Sequence, residues 1–189
     1  MDTVPPTAAA RIFVSVASYR DSECPWTLAD LFAKAAHPDR VCAGVLWQVA
    51  PDDPVEWCRV PPERSDQVRG ITVEADSSLG VCWARSRIQS ELWQGEEYYL
   101  QVDSHSRFAP GWDTLLLEVL AACPSPRPVL TTHPIGYEPP DKLTPDVLPI
   151  LTAGRFNDTG VLMPKAKGLA PPFVPDRPAP PAFVGAGLV

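Results

Sequence analysis

Three features of the chain predict an α/β protein built on a mostly parallel central sheet. Apolar runs of strand length alternate with segments of helical periodicity through residue 132. The first two runs, Arg11–Ala17 and Val41–Val49, are almost continuously apolar, as strands covered on both faces are. A later run, Tyr98–Val102, ends in Asp103-Ser104-His105, an acid and an imidazole two positions apart at the edge where open parallel sheets bind ligands.

Each element follows from its residues. Residues 1–10 read as a flexible, Pro-containing leader without the basic and apolar regions of a secretory signal. After the first strand, Ser18–Ser22 forms a loop. Pro25 suits the first turn of a helix running to about Ala36, with Trp26, Leu28, Leu31, Phe32 and Ala35 on its apolar face. Val41–Val49 is the second strand, and Asp52–Gln67 is too polar and Pro-interrupted to assign. Alternation around Ile71, Val73 and Ala75 makes Val68–Ala75 the third strand. Ser77 or Ser78 caps a helix over about Leu79–Trp93, where Val81, Ala84, Ile88 and Leu92 trace one stripe and Arg85 lies among them. An unpaired guanidinium is excluded from a helix interior, so Arg85 either snorkels or reaches a buried anion.

Gly95 ends that helix, and Tyr98–Val102 is the fourth strand. A helix opens at Pro110-Gly111-Trp112-Asp113 and runs to Cys123 with Leu115, Leu116, Val119 and Leu120 inward; Val129–Thr132 follows as a fifth strand. Leu148–Ala153 is a further strand with a bulge or edge position, because Pro149 cannot donate to a ladder. Asn157-Asp158-Thr159-Gly160 signals a turn with exposed polar groups. The domain reading is therefore 11–163, followed by a tail over 164–189 holding seven prolines, with Phe173, Val174, Phe183 and Val184 available to pack against the sheet. Its apolar ending, Gly185–Val189, looks like the start of another strand, so a truncated C-terminus is an expectation.

With 45% hydrophobic and 21% charged residues, the chain has the composition of a folded globular protein. Its formal charge of -7, with no basic block beyond Lys165 and Lys167, argues against a nucleic-acid surface. No apolar span is long enough to cross a membrane. Cys24, Cys42, Cys58, Cys82 and Cys123 are odd in number and widely spaced, which predicts reduced thiols and a cytoplasmic protein, with Cys42, Cys82 and Cys123 in the core. Neither a P-loop nor a Gly-x-Ser-x-Gly elbow is present.

In an extended strand, residues i and i+2 share a face, so Asp103 and His105 suit a hard divalent cation that also tolerates imidazole. The spacing alone is common, and a capping or hydrogen-bonded loop role for His105 stays open.

Several ordered pieces together are more specific: Ile12–Asp21, Gly80–Arg85, Gly95–His105, Arg107-Phe108 and Gly111-Trp112-Asp113. Over about residues 11 to 160 they resemble the glycosyltransferase family that adds N-acetylglucosamine to polypeptides, whose described eukaryotic members modify a hydroxyproline on a cytoplasmic ubiquitin-ligase adaptor. The resemblance implies a GT-A type fold, UDP-N-acetylglucosamine as donor, Mn2+ or Mg2+ as cofactor, and transfer with retention to a polypeptide or glycan hydroxyl. It places the metal motif on Asp103 and His105, the uridine loop on Ala17, Ser18, Tyr19 and Arg20, and Arg85 at the donor phosphates or the metal-binding acid. Tyr19 suits the border of a uracil ring, and Arg20 suits Asp21 or a phosphate. An ordinary salt bridge from Arg85 to Asp76, Glu91 or Asp103 is the alternative. Trp112 and Asp113 read as a brace for the site or as core and cap, and His133 as an acceptor-side or structural residue. No nucleophile and no oligomeric state is assigned. A noncatalytic nucleotide-sugar or protein-binding domain is the alternative function, and a plain structural domain is the third.

Overall fold

The apolar runs near the N-terminus become strands because both of their faces are covered. β1 (Ile12–Tyr19), β2 (Val41–Val49), β3 (Val68–Glu74) and β4 (Tyr98–Asp103) form one sheet in the order β3-β2-β1-β4, with every neighbouring pair parallel. α1 (Cys24–Lys34) joins β1 to β2, α2 (Val81–Glu91) joins β3 to β4, and α3 (Trp112–Ala121) follows β4. The computed structural model describes residues 10–132, 134–143 and 148–169, and the chain divides into two units, Met1–Glu118 and Val119–Val189. Most of the leader, His133 and the tail from residue 170 lie outside the described residues.

On one face of the sheet Phe13, Cys42 and Leu46 pack with Ala84, Ile88 and Leu92 of α2 and its C-cap. Gly44 of β2 makes this possible, because a Cβ there would run into the Phe13 ring. On the other face Ile12, Val14, Val16, Val41, Ala43 and Val45 are buried, as are Leu28, Leu31 and Phe32 of α1. Burial of each large aliphatic or aromatic side chain contributes roughly 1.5–3 kcal/mol.

The structure corrects several expectations. β1 continues to Tyr19, so Ser18 and Tyr19 belong to the strand rather than to the following loop. Trp26 and Val81 are exposed, because α1 and α2 present narrower apolar faces than their sequences suggested. α2 begins after Gly80, and no side chain caps it; Ser78 accepts the Gly80 N–H instead (3.2 Å). Short 3-10 turns at Val55–Cys58 and Pro62–Gln67 fill the unassigned stretch. On α3 Leu115 is exposed, whereas Trp112 and Asp113 are buried. Of the cysteines, all free, Cys24 and Cys42 are buried but Cys82 is exposed.

Val129–Thr132 forms no strand: Val129 is 69% exposed, and only an isolated bridge at Thr131 is present. The segment is flanked by Pro128 and Pro134, which lack the N–H that a ladder needs. In the second unit, β5 (Tyr137–Glu138) pairs with β6 (Lys142–Leu143), and β7 (Leu148–Phe156) pairs antiparallel with β8 (Leu162–Leu169). Pro149 pairs in register with Gly168 in this two-stranded sheet, so it takes the edge position; the irregularity in β7 lies between Thr152 and Arg155, facing Pro164 of β8. Asn157–Gly160 closes this hairpin, with Asn157 Oδ1 accepting from the Thr159 and Val161 N–H groups and Gly160 at φ 79. No helix among the described residues is long and apolar enough to cross a membrane.

Candidate functional site

The strand order places a switch between β1 and β4: β2 and β3 are added on one side of β1, and β4 on the other. The loops leaving two such strands diverge, and ligands of open α/β sheets bind in the crevice between them. The register brings Ala17 of β1 level with Asp103 of β4, so Ser18–Asp21 and Ser104–Ser106 face one another across that crevice.

Burial alternates at the end of β4. Asp103 is half-buried, Ser104 is buried, and His105 is exposed. The strand ends at Asp103 and the chain bends at Ser104 and His105, so both of these side chains reach Asp21 across the crevice. Arg85 Nη2 donates to Asp103 Oδ1 at 3.0 Å, which selects the acid among the partners considered for that arginine. Its Nε is buried without a hydrogen-bond partner among the described residues.

Asp21, considered in the sequence only as a partner for Arg20, organises the crevice. Its Oδ2 accepts from Ser104 Oγ at 2.6 Å and from His105 Nδ1 at 2.8 Å, and its Oδ1 accepts the Glu23 N–H at 2.9 Å. Burial works against its charge, but these hydrogen bonds outweigh it and hold the carboxyl at about 2. The hydrogen bond to Asp21 raises the His105 pKa, and the charge of Asp103 adds to the effect.

Arg20 turns elsewhere. Its guanidinium meets Asp53 through Nε at 3.0 Å and Nη2 at 2.8 Å, and its N–H donates to the Gln48 carbonyl. This clamp ties the loop after β1 to the loop after β2 and holds Arg20 at φ 47, a left-handed conformation uncommon for a non-glycine residue.

The loop after β4 is shaped by side chains of α1. Thr27 Oγ1 donates to the Ser104 carbonyl (2.7 Å) and accepts the Ser106 N–H (2.9 Å), while Asp30 accepts the Phe108 N–H (2.6 Å). Trp112 Nε1 donates to the Leu31 carbonyl (2.9 Å), and Asp113 accepts the N–H groups of Ala36 and His37 (2.7 and 2.8 Å). Trp112 and Asp113 thus brace this loop and close the end of α1. Thr27 and Asp30 escaped the sequence reading because a polar residue on a helix carries no sign of a loop distant in the chain.

On the β2 side of β1 lies a cavity of about 600 Å³ whose lining includes Ala17, Tyr19, Gln48, Asp76, Ser78 and Gly80. Gln48 is buried, donates to the Ser18 carbonyl (3.0 Å) and accepts from Ser78 Oγ (2.5 Å). Gly80, the N-cap of α2, has φ 94 and ψ 174, a conformation open only to glycine.

Of the predicted site residues, Ala17, Ser18, Tyr19, Arg85, Asp103 and His105 lie along this one edge, whereas Arg20 is committed to Asp53. Among the described residues, no group of three or more His, Cys, Asp or Glu side chains forms a ready metal cage. The donor set is one carboxylate and one imidazole. Oδ2 of Asp103 and Nε2 of His105 carry no hydrogen bond among the described residues, and this pair fits a cation whose remaining ligands come from a diphosphate and water.

The sequence profile of the family described as "Glycosyltransferase (GlcNAc)" matches residues 11–63 and 59–189. No curated protein matches the sequence. Among solved structures, S. aureus TarS 1-349 aligns at 15% identity and a TM-score of 0.50, covering 75% of this chain and 42% of TarS. The mannosyltransferase PcManGT from Pyrobaculum calidifontis, solved in complex with GDP-Man and Mn2+, aligns at 19% identity and a TM-score of 0.47, covering 73% of this chain and 39% of its own. The chain thus spans less than half the length of either protein. The likeness to TarS is one of fold: the parallel sheet flanked by helices is of the GT-A nucleotide-diphospho-sugar transferase type.

Proposed function

The chain belongs to the glycosyltransferase (GlcNAc) family, and from that premise we propose that its sheet edge binds UDP-N-acetylglucosamine with a divalent cation and transfers the sugar, with retention, to a polypeptide or glycan hydroxyl. The observation that supports this reading is that Asp103 and His105 close β4 at the switch between β1 and β4, each held through one atom, by Arg85 and by Asp21, and each keeping a second ligating atom free among the described residues. Asp103 and His105 would hold Mn2+ or Mg2+. When bound, the cation offsets the diphosphate charge and stabilises the leaving group.

The rest falls to the chain's own residues. Arg85 fixes one oxygen of Asp103 and leaves the other for the cation, and its partnerless Nε suits an anionic oxygen of the donor. The cavity on the other side of β1 suits the uridine. Tyr19 borders the ring, and Asp76 accepts from the N–H edge that uracil presents. Gln48 is locked by Ser18 and Ser78 and keeps that wall from collapsing.

Titration calorimetry with UDP-N-acetylglucosamine, with Mn2+ and with chelator, tests the reading. Binding that requires the cation, together with release of N-acetylglucosamine to water or to a peptide hydroxyl, is the expected result. Donor affinity indifferent to the cation overturns it, and cation-dependent binding without transfer or hydrolysis leaves a nucleotide-sugar-binding domain.

A further inference from the structure

We propose that Asp21 is a positioning residue whose carboxylate fixes the His105 ring with its proton on Nδ1 and turns Nε2 to the cation. The inference rests on the metal-site reading above and adds a residue from the opposite side of the crevice. Asp21 follows β1 and His105 follows β4, 84 residues apart in sequence, and the two meet at 2.8 Å.

The chemistry sets the direction of that hydrogen bond. An ionised carboxylate has no proton to donate, so Nδ1 is the donor, and a neutral imidazole protonated there keeps its lone pair on Nε2. The carboxylate is itself immobilised. Its Oδ1 receives the Glu23 N–H at the start of α1, and its Oδ2 receives Ser104 Oγ from the residue just before His105. Exposure explains why such a brace matters: the His105 side chain is 62% exposed and has little packing to choose its rotamer, whereas that of Asp21 is only 16% exposed. Ser104 Oγ shares the same carboxylate oxygen, so Asp21 holds the backbone turn and the ring together. A metal-ligating histidine oriented by a carboxylate on its other nitrogen typically loses about 10- to 100-fold in metal affinity when that partner is removed.

The first test needs no variant at Asp21. Long-range 1H–15N spectra of the metal-free protein at mildly alkaline pH report the tautomer, with His105 identified among the three histidines by the signals lost in His105→Gln. A proton on Nδ1 supports the assignment, and a proton on Nε2 overturns it. Mn2+ binding in the presence of UDP is then followed by electron paramagnetic resonance. Asp21→Leu is expected to weaken Mn2+ about 10- to 100-fold, and Asp21→Asn, which retains an acceptor for Nδ1–H, to weaken it less and keep the tautomer. Unchanged Mn2+ affinity in Asp21→Leu overturns the proposal; if that variant does not fold, loss of the Nδ1–H tautomer in Asp21→Asn does so instead. Asp103→Ala separates the two levels. If it abolishes Mn2+ binding while Asp21→Leu does not, only the role of Asp21 falls; if it leaves Mn2+ binding intact, the metal site falls.

Discussion

The two sides of the β1 carboxyl end are built from different chemistry. Toward β2 and β3 the wall is largely neutral and locked by amide and hydroxyl bonds, Gln48 to the Ser18 carbonyl and Ser78 to Gln48, with Asp76 as the acid at its mouth. Toward β4 it is ionic, with Asp21 on His105 and Arg85 on Asp103. A planar base is recognised by shape and a fixed hydrogen-bond polarity, whereas a diphosphate with its cation requires opposed charges. On the proposed reading, one strand end sorts the two halves of a nucleotide sugar. The Arg20–Asp53 clamp belongs to neither job and fastens the loop that carries Asp21.

The sharpest way to break this division is Asp103→Ala. Transfer is expected to fall about 100-fold or more, the scale of losing one preorganised electrostatic contact to the developing charge. Donor binding in this variant should no longer respond to Mn2+. Gly80→Val strikes the other side. Its added Cβ meets nothing within 4 Å, so its cost is backbone strain at φ 94, about 1–3 kcal/mol in urea unfolding. UDP affinity should drop in Gly80→Val, yet what remains should keep its full response to Mn2+. Asp76→Asn is milder: loss of a charge-assisted hydrogen bond to the base predicts roughly a tenfold weaker UDP affinity. If Gly80→Val or Asp76→Asn abolished the Mn2+ response, the two walls would not be separate.

The ionic side was more legible in the sequence than the neutral one, for a physical reason. Charged residues at strand ends stand out against apolar runs, so Asp103, His105 and Arg85 could be named from β4 and α2 alone. Gln48, Ser78 and Thr27 are ordinary polar residues whose importance comes from partners 30 or 77 positions distant. Asp21 was visible but read locally, as a mate for its neighbour Arg20, because distant partners leave no mark on spacing. The sheet was legible where burial is two-sided, as in β1 and β2. Val129–Thr132 failed because β-branched content predicts a strand only if an unpaired edge lies beside it. Trp26 failed because a residue type does not reveal which side of a helix is covered.

The smallest expected effect concerns the amino end of the same sheet, where an ion pair lies at the opposite end of β4 from Asp103. Arg69 of β3 meets Glu96, just before β4, at 2.7 Å, with the Glu96 side chain 1% exposed. Burial opposes the Glu96 charge, but the Arg69 hydrogen bond and the Gln94 N–H outweigh it, so its pKa lies below the ordinary 4.5. A carboxyl depressed in the folded state adds stability above its unfolded pKa and loses it as pH falls through the folded value. Glu96→Gln should therefore be less stable than the parent near neutral pH in urea unfolding, and the difference should close as acidification carries the parent through the lowered folded-state pKa of Glu96. Its UDP affinity and Mn2+ response should match the parent at neutral pH. A stability difference that persisted in acid would mean that packing around the side chain, rather than its charge, sets the cost. Altered Mn2+ response in Glu96→Gln would mean that the ionic wall at the other end of β4 depends on how that strand begins.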